Sequence, residues 1–138
     1  MNNIKLLIFD GISGSGKSTL FHPIHRLSNY GDLHIHRFTP TNWVYDKLYN
    51  RREVDYEELN QNIQKIINTY VIWCKCSPEI AYARQIKKKD IMIEDLEKAI
   101  KLFDEYFSEI SSFKNVICLN TDILTIDQCV ELVRKKIY

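Results

Sequence analysis

Residues 4–19 read IKLLIFDGISGSGKST. The stretch from Ile4 to Phe9 is apolar at all but one position and is closed by Asp10-Gly11, as suits a strand buried on both faces of a parallel sheet. Gly11-Ile12-Ser13-Gly14-Ser15-Gly16-Lys17-Ser18 then matches the pattern G-x-x-x-x-G-K-[ST] at every fixed position. At average composition such a match arises by chance about once in a few hundred chains of this length. Its setting sharpens it, because Leu20, Ile24 and Leu27 follow at helical spacing. A glycine-rich turn from a strand into a helix lets successive backbone N–H groups converge on one point, where the positive end of the helix adds to their field. Glycine there admits positive φ and keeps Cβ out of the way of an approaching anion.

Such a cradle suits the phosphates of a nucleoside triphosphate. Gly11, Ser13, Gly14, Ser15, Gly16, Lys17, Ser18 and Thr19 are expected to line it, with ATP as phosphoryl donor. Lys17 reaches the β- and γ-phosphates, the Ser18 hydroxyl takes Mg²⁺, and Thr19 supports the loop or the α-phosphate. Asp10 ends the strand next to the bound anion. A carboxylate so placed is tolerable with a cation between, so Asp10 is expected to join Ser18 at the metal; capping of loop N–H groups is the alternative.

Outward from this loop, helical and strand-like patterns alternate. Helix is expected over 17–29, with Pro23 inside it, and a second strand over 33–38 after the turn Gly31-Asp32. Residues 39–52 are aromatic and irregular, with one short helix around 43–49. Asp55 and Glu58 read as a capping-box pair, after which Leu59, Ile63, Ile66 and Tyr70 share a face. A third strand is expected over 71–76, and Ser77-Pro78 opens a helix. After the charged interruption 85–90, Ile93, Leu96, Ile100, Phe103, Phe107 and Ile110 form the chain's strongest amphipathic stripe. Residues 115–119 complete the strands. Thr125 with Gln128 caps a last helix striped by Ile126, Val130, Val133 and Ile137. The alternation predicts a three-layer α/β domain over residues 1–138, with a short, mainly parallel sheet of about four strands flanked by helices.

Composition excludes some partners. Nineteen basic against 18 acidic side chains leave a net charge of +1, so no global field draws in long nucleic acid or an anionic membrane. No stretch reaches the ~20 apolar residues of a membrane span, and the N-terminus has too short an apolar run for a secretory signal. Cys74, Cys76, Cys118 and Cys129 lack zinc-site spacing and read as reduced core thiols, with Cys74 and Cys76 on one sheet face. A cytoplasmic protein fits these features, and a homodimer stays open.

Several other side chains suit phosphate or base. Arg84, Lys87, Lys88 and Lys89 cluster between two helices, as a lid closing on the triphosphate or as a solvated face. Arg84 leads because its planar fork matches phosphate. Arg37, with Arg51 and Arg52 as further choices, suits an acceptor phosphate; Trp43, Tyr45 and Tyr49 can stack on a nucleobase or pack the core. His34 and His36 share a strand face with no third metal ligand in view.

The segment Ile8 to Thr19 resembles the opening of the thymidylate kinase and deoxynucleoside kinase families. Ser77-Pro78-Glu79-Ile80-Ala81-Tyr82-Ala83-Arg84 after a strand is similar to their Ser-Pro-Glu turn and the helix running into a basic lid, and Asn120-Thr121-Asp122 to their adenine-side loop. Thr39-Pro40-Thr41-Asn42-Trp43 is similar, less closely, to the acidic-Pro-x-x-Trp element that receives the base, with Thr39 where those enzymes carry a glutamate base. The resemblance implies a shortened kinase acting on a nucleoside monophosphate or deoxynucleoside. Without the glutamate, the monophosphate is favoured, since its phosphate oxygen has no proton to lose. A small-molecule or polynucleotide 5′-hydroxyl kinase, and a nucleotide-binding module without turnover, are the alternatives.

Overall fold

The computed structural model describes residues 4–12, 14–84 and 93–138. Four parallel strands form one sheet in the order β2-β1-β3-β4. They are β1 (Lys5–Gly11), β2 (Leu33–His36), β3 (Asn68–Lys75) and β4 (Val116–Asn120). Among the described residues six α-helices flank them: α1 (Lys17–His25), α2 (Thr39–Leu48), α3 (Glu57–Ile66), α4 (Pro78–Arg84), α5 (Ile93–Glu105) and α6 (Ile126–Ile137). The α/β architecture expected from the sequence is thus present, down to the four strands.

Strand alternation sorts the core into layers. Leu7 and Phe9 of β1, Ile72 and Cys74 of β3, and Ile117 and Leu119 of β4 lie under Leu20 and Ile24 of α1 and Cys129 and Val133 of α6. Leu6, Ile8 and Val71 face the other way, toward Phe113 and Ile63 of α3. Beyond the C-terminal end of that face, Ile12 and Cys76 join Trp43 and Val44 of α2, Ala81 of α4, and Leu96, Ala99 and Phe103 of α5. No helix of the described residues is long and apolar enough to cross a membrane.

Several boundaries differ from expectation, each for a physical reason. β2 stops at His36 because Arg37 turns into the left-handed region, φ 61°, and Asp10 then caps the chain's next turn. α2 therefore starts at Thr39, with Pro40 in its first turn, and the segment is more regular than its aromatic composition suggests. α3 ends at Ile66, which is exposed like Leu59, and Tyr70 belongs to β3. The buried residue of α3 is polar Asn60, so apolar spacing alone misplaces its inner face. The turn before α3 uses Asp55, whose carboxylate accepts from the Glu57 N–H at 2.9 Å; the reciprocal Glu58 bond of a capping box does not appear among the described residues.

α5 continues into a π-helical turn, Tyr106–Ile110. The wider turn shifts the periodicity, so fully buried Tyr106 takes an inward place and Ile110 turns outward. The box at Thr125 and Gln128 is complete in both directions. Within the last helix Cys129 and Val133 are the buried positions, while Ile126 is exposed. β3 ends at Lys75, which puts Cys76 in a different cluster from Cys74. All four cysteines are free, and Cys118 on the edge strand β4 is exposed rather than a core thiol.

Candidate functional site

At the C-terminal end of β1 the backbone leaves the sheet under tight steric control. Gly11 has φ 140°, and a Cβ there would lie 2.2 Å from the Cys74 carbonyl oxygen. Any side chain at this point forces β1 and β3 apart. Gly14 and Gly16 are left-handed as well, and Gly16 starts α1 without a side-chain cap. The first N–H groups of α1 are therefore left for a ligand. Ser15 is fully buried, and its Oγ has no hydrogen-bond partner among the described residues.

Lys17 is buried, and its Nζ donates to the carbonyl oxygens of Gly11 at 2.9 Å and Ile12 at 2.8 Å. Burial, with Arg37 adding repulsion against the attraction of Asp10, holds its pKa down to about 8. An ammonium folded over its own loop is a preorganised charge suited to an anion.

Asp10 is fully buried. Its Oδ1 accepts from the Gly11 N–H at 2.7 Å and from the Thr41 hydroxyl; its Oδ2 accepts from the N–H groups of Phe38 at 3.0 Å and Thr41 at 3.3 Å. Four donors fill the roughly four lone-pair positions of a carboxylate. Burial pushes the Asp10 carboxyl up, against these donors and Lys17, which favour the ionised form. The arrangement matches the capping alternative, and a cation reaches Asp10 only by displacing a donor. Among the described residues no group of three or more His, Cys, Asp or Glu side chains is placed to hold a metal.

A cleft of about 540 Å³ opens over the loop. Gly14, Gly16, Lys17, Ser18 and Thr19 form its floor; Arg84, Thr121, Leu124, Ile126 and Cys129 lie at one end, His36 and Arg37 at the other. Arg84 at the end of α4 donates to Gly14 O at 2.9 Å, to Thr121 Oγ1 at 3.0 Å and to Thr121 O at 3.3 Å. Thr121 Oγ1 donates in turn to Ser15 O at 2.8 Å. The Ser-Pro turn, the Asn120-Thr121-Asp122 loop and the phosphate loop are so tied at one point, with Asp122 Oδ2 accepting from the Ser77 N–H at 2.8 Å.

Arg37 lines the cleft's other end and lies close enough to act electrostatically on Lys17 and on Tyr45, which is not itself among the described lining residues. Trp43 does not join them. It lies in the core, its ring 5.4 Å from that of Tyr106, because the early start of α2 turns it inward. Tyr45 stacks on Tyr49 at 5.9 Å, and Arg51 sits over the Tyr49 ring. Ser13, Lys87, Lys88 and Lys89 lie outside the described residues. His36, Leu124, Ile126 and Cys129 line the cleft without having been singled out for it from sequence. Apolar residues and one histidine carry no spacing signal that separates a cleft wall from a core.

No family model matches the chain, and no curated protein matches its sequence. Solved structures do match. The YorR protein of Bacillus subtilis in complex with phosphorylated GDP superposes with a TM-score of 0.75 at 18% identity, over 92% of each chain. Deoxyadenosine kinase from M. mycoides with bound dATP gives 0.68 at 16% identity, over 95% of this chain and 98% of that one. The same enzyme with dCMP and dCDP gives 0.64 at 16% identity, over 95% and 97%. At these identities the likeness establishes the fold alone: the chain shares the α/β architecture of the YorR protein and of that deoxyadenosine kinase.

Proposed function

We propose that residues 1–138 act as one kinase domain that transfers the γ-phosphoryl group of ATP, with Mg²⁺, to a nucleoside monophosphate or a deoxynucleoside. The observation that carries this reading is the position of Lys17: a buried cation on the Gly11 and Ile12 carbonyls, at the floor of a cleft with chemically different ends. Leu124 and Ile126, beside Arg84 and Thr121, suit the flat apolar faces of the donor base. Arg37, and with it Tyr45, suits an acceptor and its charge. The YorR complex and the deoxyadenosine kinase complexes agree with nucleotide-type ligands in this architecture.

The residues present fit the metal in one respect. Ser18 stands exposed at the start of α1 on the cleft floor, and Mg²⁺ takes few protein ligands beside phosphate oxygens and retained waters. Bound there, Mg²⁺ would neutralise charge between the phosphates. The protein's own share is positional: the loop N–H groups hold the phosphates, Lys17 turns from the loop carbonyls to the transferred group, and Arg84 closes the donor side. Asp10 serves by fixing Gly11 and the start of α2, and any part it has in the metal's water shell is secondary to that.

Coupled ADP release, measured with Mg²⁺ across nucleosides and their monophosphates, tests the reading. Turnover on at least one acceptor, lowered roughly 10²–10³-fold in Lys17→Ala, is the expected result. Tight ATP binding with no acceptor-dependent turnover would leave a nucleotide-binding module instead.

A further inference from the structure

We infer that His36 accepts the proton of a hydroxyl acceptor in the cleft, which makes the acceptor a deoxynucleoside rather than a monophosphate. The inference rests on the phosphoryl-transfer reading and narrows it. His36 ends β2 on the same sheet face as α1 and lines the cleft beside Lys17, Ser18 and Arg37. Its ring is held edge-on by Phe21, centroids 4.4 Å apart at 78°, and tilted against Phe9 at 5.6 Å. Both contacts fix the plane of the ring. Neither ring nitrogen has a hydrogen-bond partner among the described residues, so the packing orients the imidazole and leaves its nitrogens for a substrate.

Elimination within the cleft points the same way. The other described lining groups are cations (Lys17, Arg37, Arg84), hydroxyls (Ser18, Thr19, Thr121), a thiol (Cys129) and apolar or glycine positions. Burial pushes the Cys129 thiol up, away from use as a base at neutral pH. Asp10 has its carboxylate filled by Gly11, Phe38 and Thr41. Thr39 is buried, and its hydroxyl donates to Asn60 Oδ1 at 2.7 Å, away from any substrate. Among the described lining residues His36 is thus the one neutral nitrogen base.

The surroundings favour the basic form. Partial desolvation of this largely exposed ring, and then Lys17, Arg37 and His22, lower its pKa from the ordinary histidine value. Further back on the same faces, His34 packs against His25 at 3.7 Å between ring centroids. A bound triphosphate offsets part of the repulsion from Lys17 and Arg37, bringing the imidazole nearer the working pH, where a general base is most effective. In the step, the O–H bond of the deoxynucleoside's primary hydroxyl breaks and its proton passes to an imidazole nitrogen. The freed oxygen pair forms a bond to the γ-phosphorus, and the bond from that phosphorus to the β-γ bridging oxygen breaks with its electrons leaving on ADP. The imidazolium then returns its proton to water.

The test compares wild type with His36→Ala and His36→Gln on deoxynucleosides and on monophosphates across the histidine titration range. With deoxynucleosides, kcat is expected to fall roughly 10²-fold or more in both variants, within the usual contribution of a general base. The acid limb of the pH profile disappears, and added imidazole restores part of the rate in His36→Ala. ADP binding by calorimetry and the melting temperature stay near wild type. Full deoxynucleoside rates in the two variants overturn the inference. So does a wild type that uses monophosphates alone, which leaves the phosphoryl-transfer reading standing; a wild type that uses neither acceptor removes both.

Discussion

Asp10 and Thr41, 31 residues apart in sequence, are bonded twice: Thr41 gives both its backbone N–H and its hydroxyl to the Asp10 carboxylate. With the Phe38 N–H on the same carboxylate, the end of β1 serves as the cap of α2. The glycine loop and the Arg37 end of the cleft are thereby set by one buried side chain.

That geometry predicts the outcome of Asp10→Asn. The amide NH₂ must face at least one of the N–H donors that the carboxylate now accepts, leaving a buried donor unpaired at a cost of about 1–3 kcal/mol. Denaturant unfolding should show that loss, and the Mg²⁺ concentration for half-maximal rate should stay put. A raised Mg²⁺ requirement with unchanged stability would place Asp10 at the metal instead.

Lys17 predicts a proton linkage. Its pKa in the folded chain is about 8, below the ordinary lysine value of 10.5. Between these two values the unfolded state binds more protons, so stability from this group rises as pH climbs through the window and is lost again below it. A phosphate beside Nζ raises the folded value, so ADP binding somewhat above pH 8 takes up a proton. Calorimetry in buffers of different ionisation enthalpy should report that uptake, and Lys17→Ala should abolish it while lowering turnover roughly 10²–10³-fold.

Arg84→Ala removes the fork that joins Gly14 to Thr121. The expected result is a fall in kcat of about tenfold or more with a smaller change in ATP affinity, because the guanidinium acts on charge that moves during transfer. Arg84→Lys should rescue little, since an ammonium cannot hold two partners in one plane. Steady-state constants for both variants check this, and an equal loss of stability without kinetic change would mark a purely structural clasp.

Asn60 predicts a stability effect away from the cleft. Its side chain accepts from Thr39 and donates to Glu57 Oε2 at 3.1 Å and Tyr106 Oη at 3.2 Å, while Glu57 Oε1 accepts from the Ser112 N–H at 2.7 Å. Asn60→Leu keeps the bulk but leaves the partners short of bonds in a buried place, costing about 1–3 kcal/mol. Thermal unfolding should show it. A melting temperature equal to wild type would mean that the network relaxes freely.

The phosphate loop, the four strands and the box at Thr125 and Gln128 were legible from residue order, because each depends on neighbours within about four positions. Trp43 and Tyr106 show where that reading fails. By residue type Trp43 suits either a nucleobase or the core, and the start of α2 at Thr39 turns the ring into the core. Tyr106 fell outside the amphipathic stripe because a π-helical turn has a different period from the helix before it.

Sequence by itself determined that strand, glycine loop and helix follow one another between Ile4 and Leu27, and that Lys17 and Ser18 stand at the helix start. Backbone freedom at glycine and the missing cap of α1 are local properties, so local order suffices for them. Tertiary structure alone decided what surrounds the loop. It filled the Asp10 carboxylate with donors from residues 38 and 41, set Arg84 on Thr121, and brought His36 to one end of the cleft through pairing of β2 with β1. Such partners meet by sheet register and burial, and a polar group's task is set by which donors and acceptors reach it once water is gone.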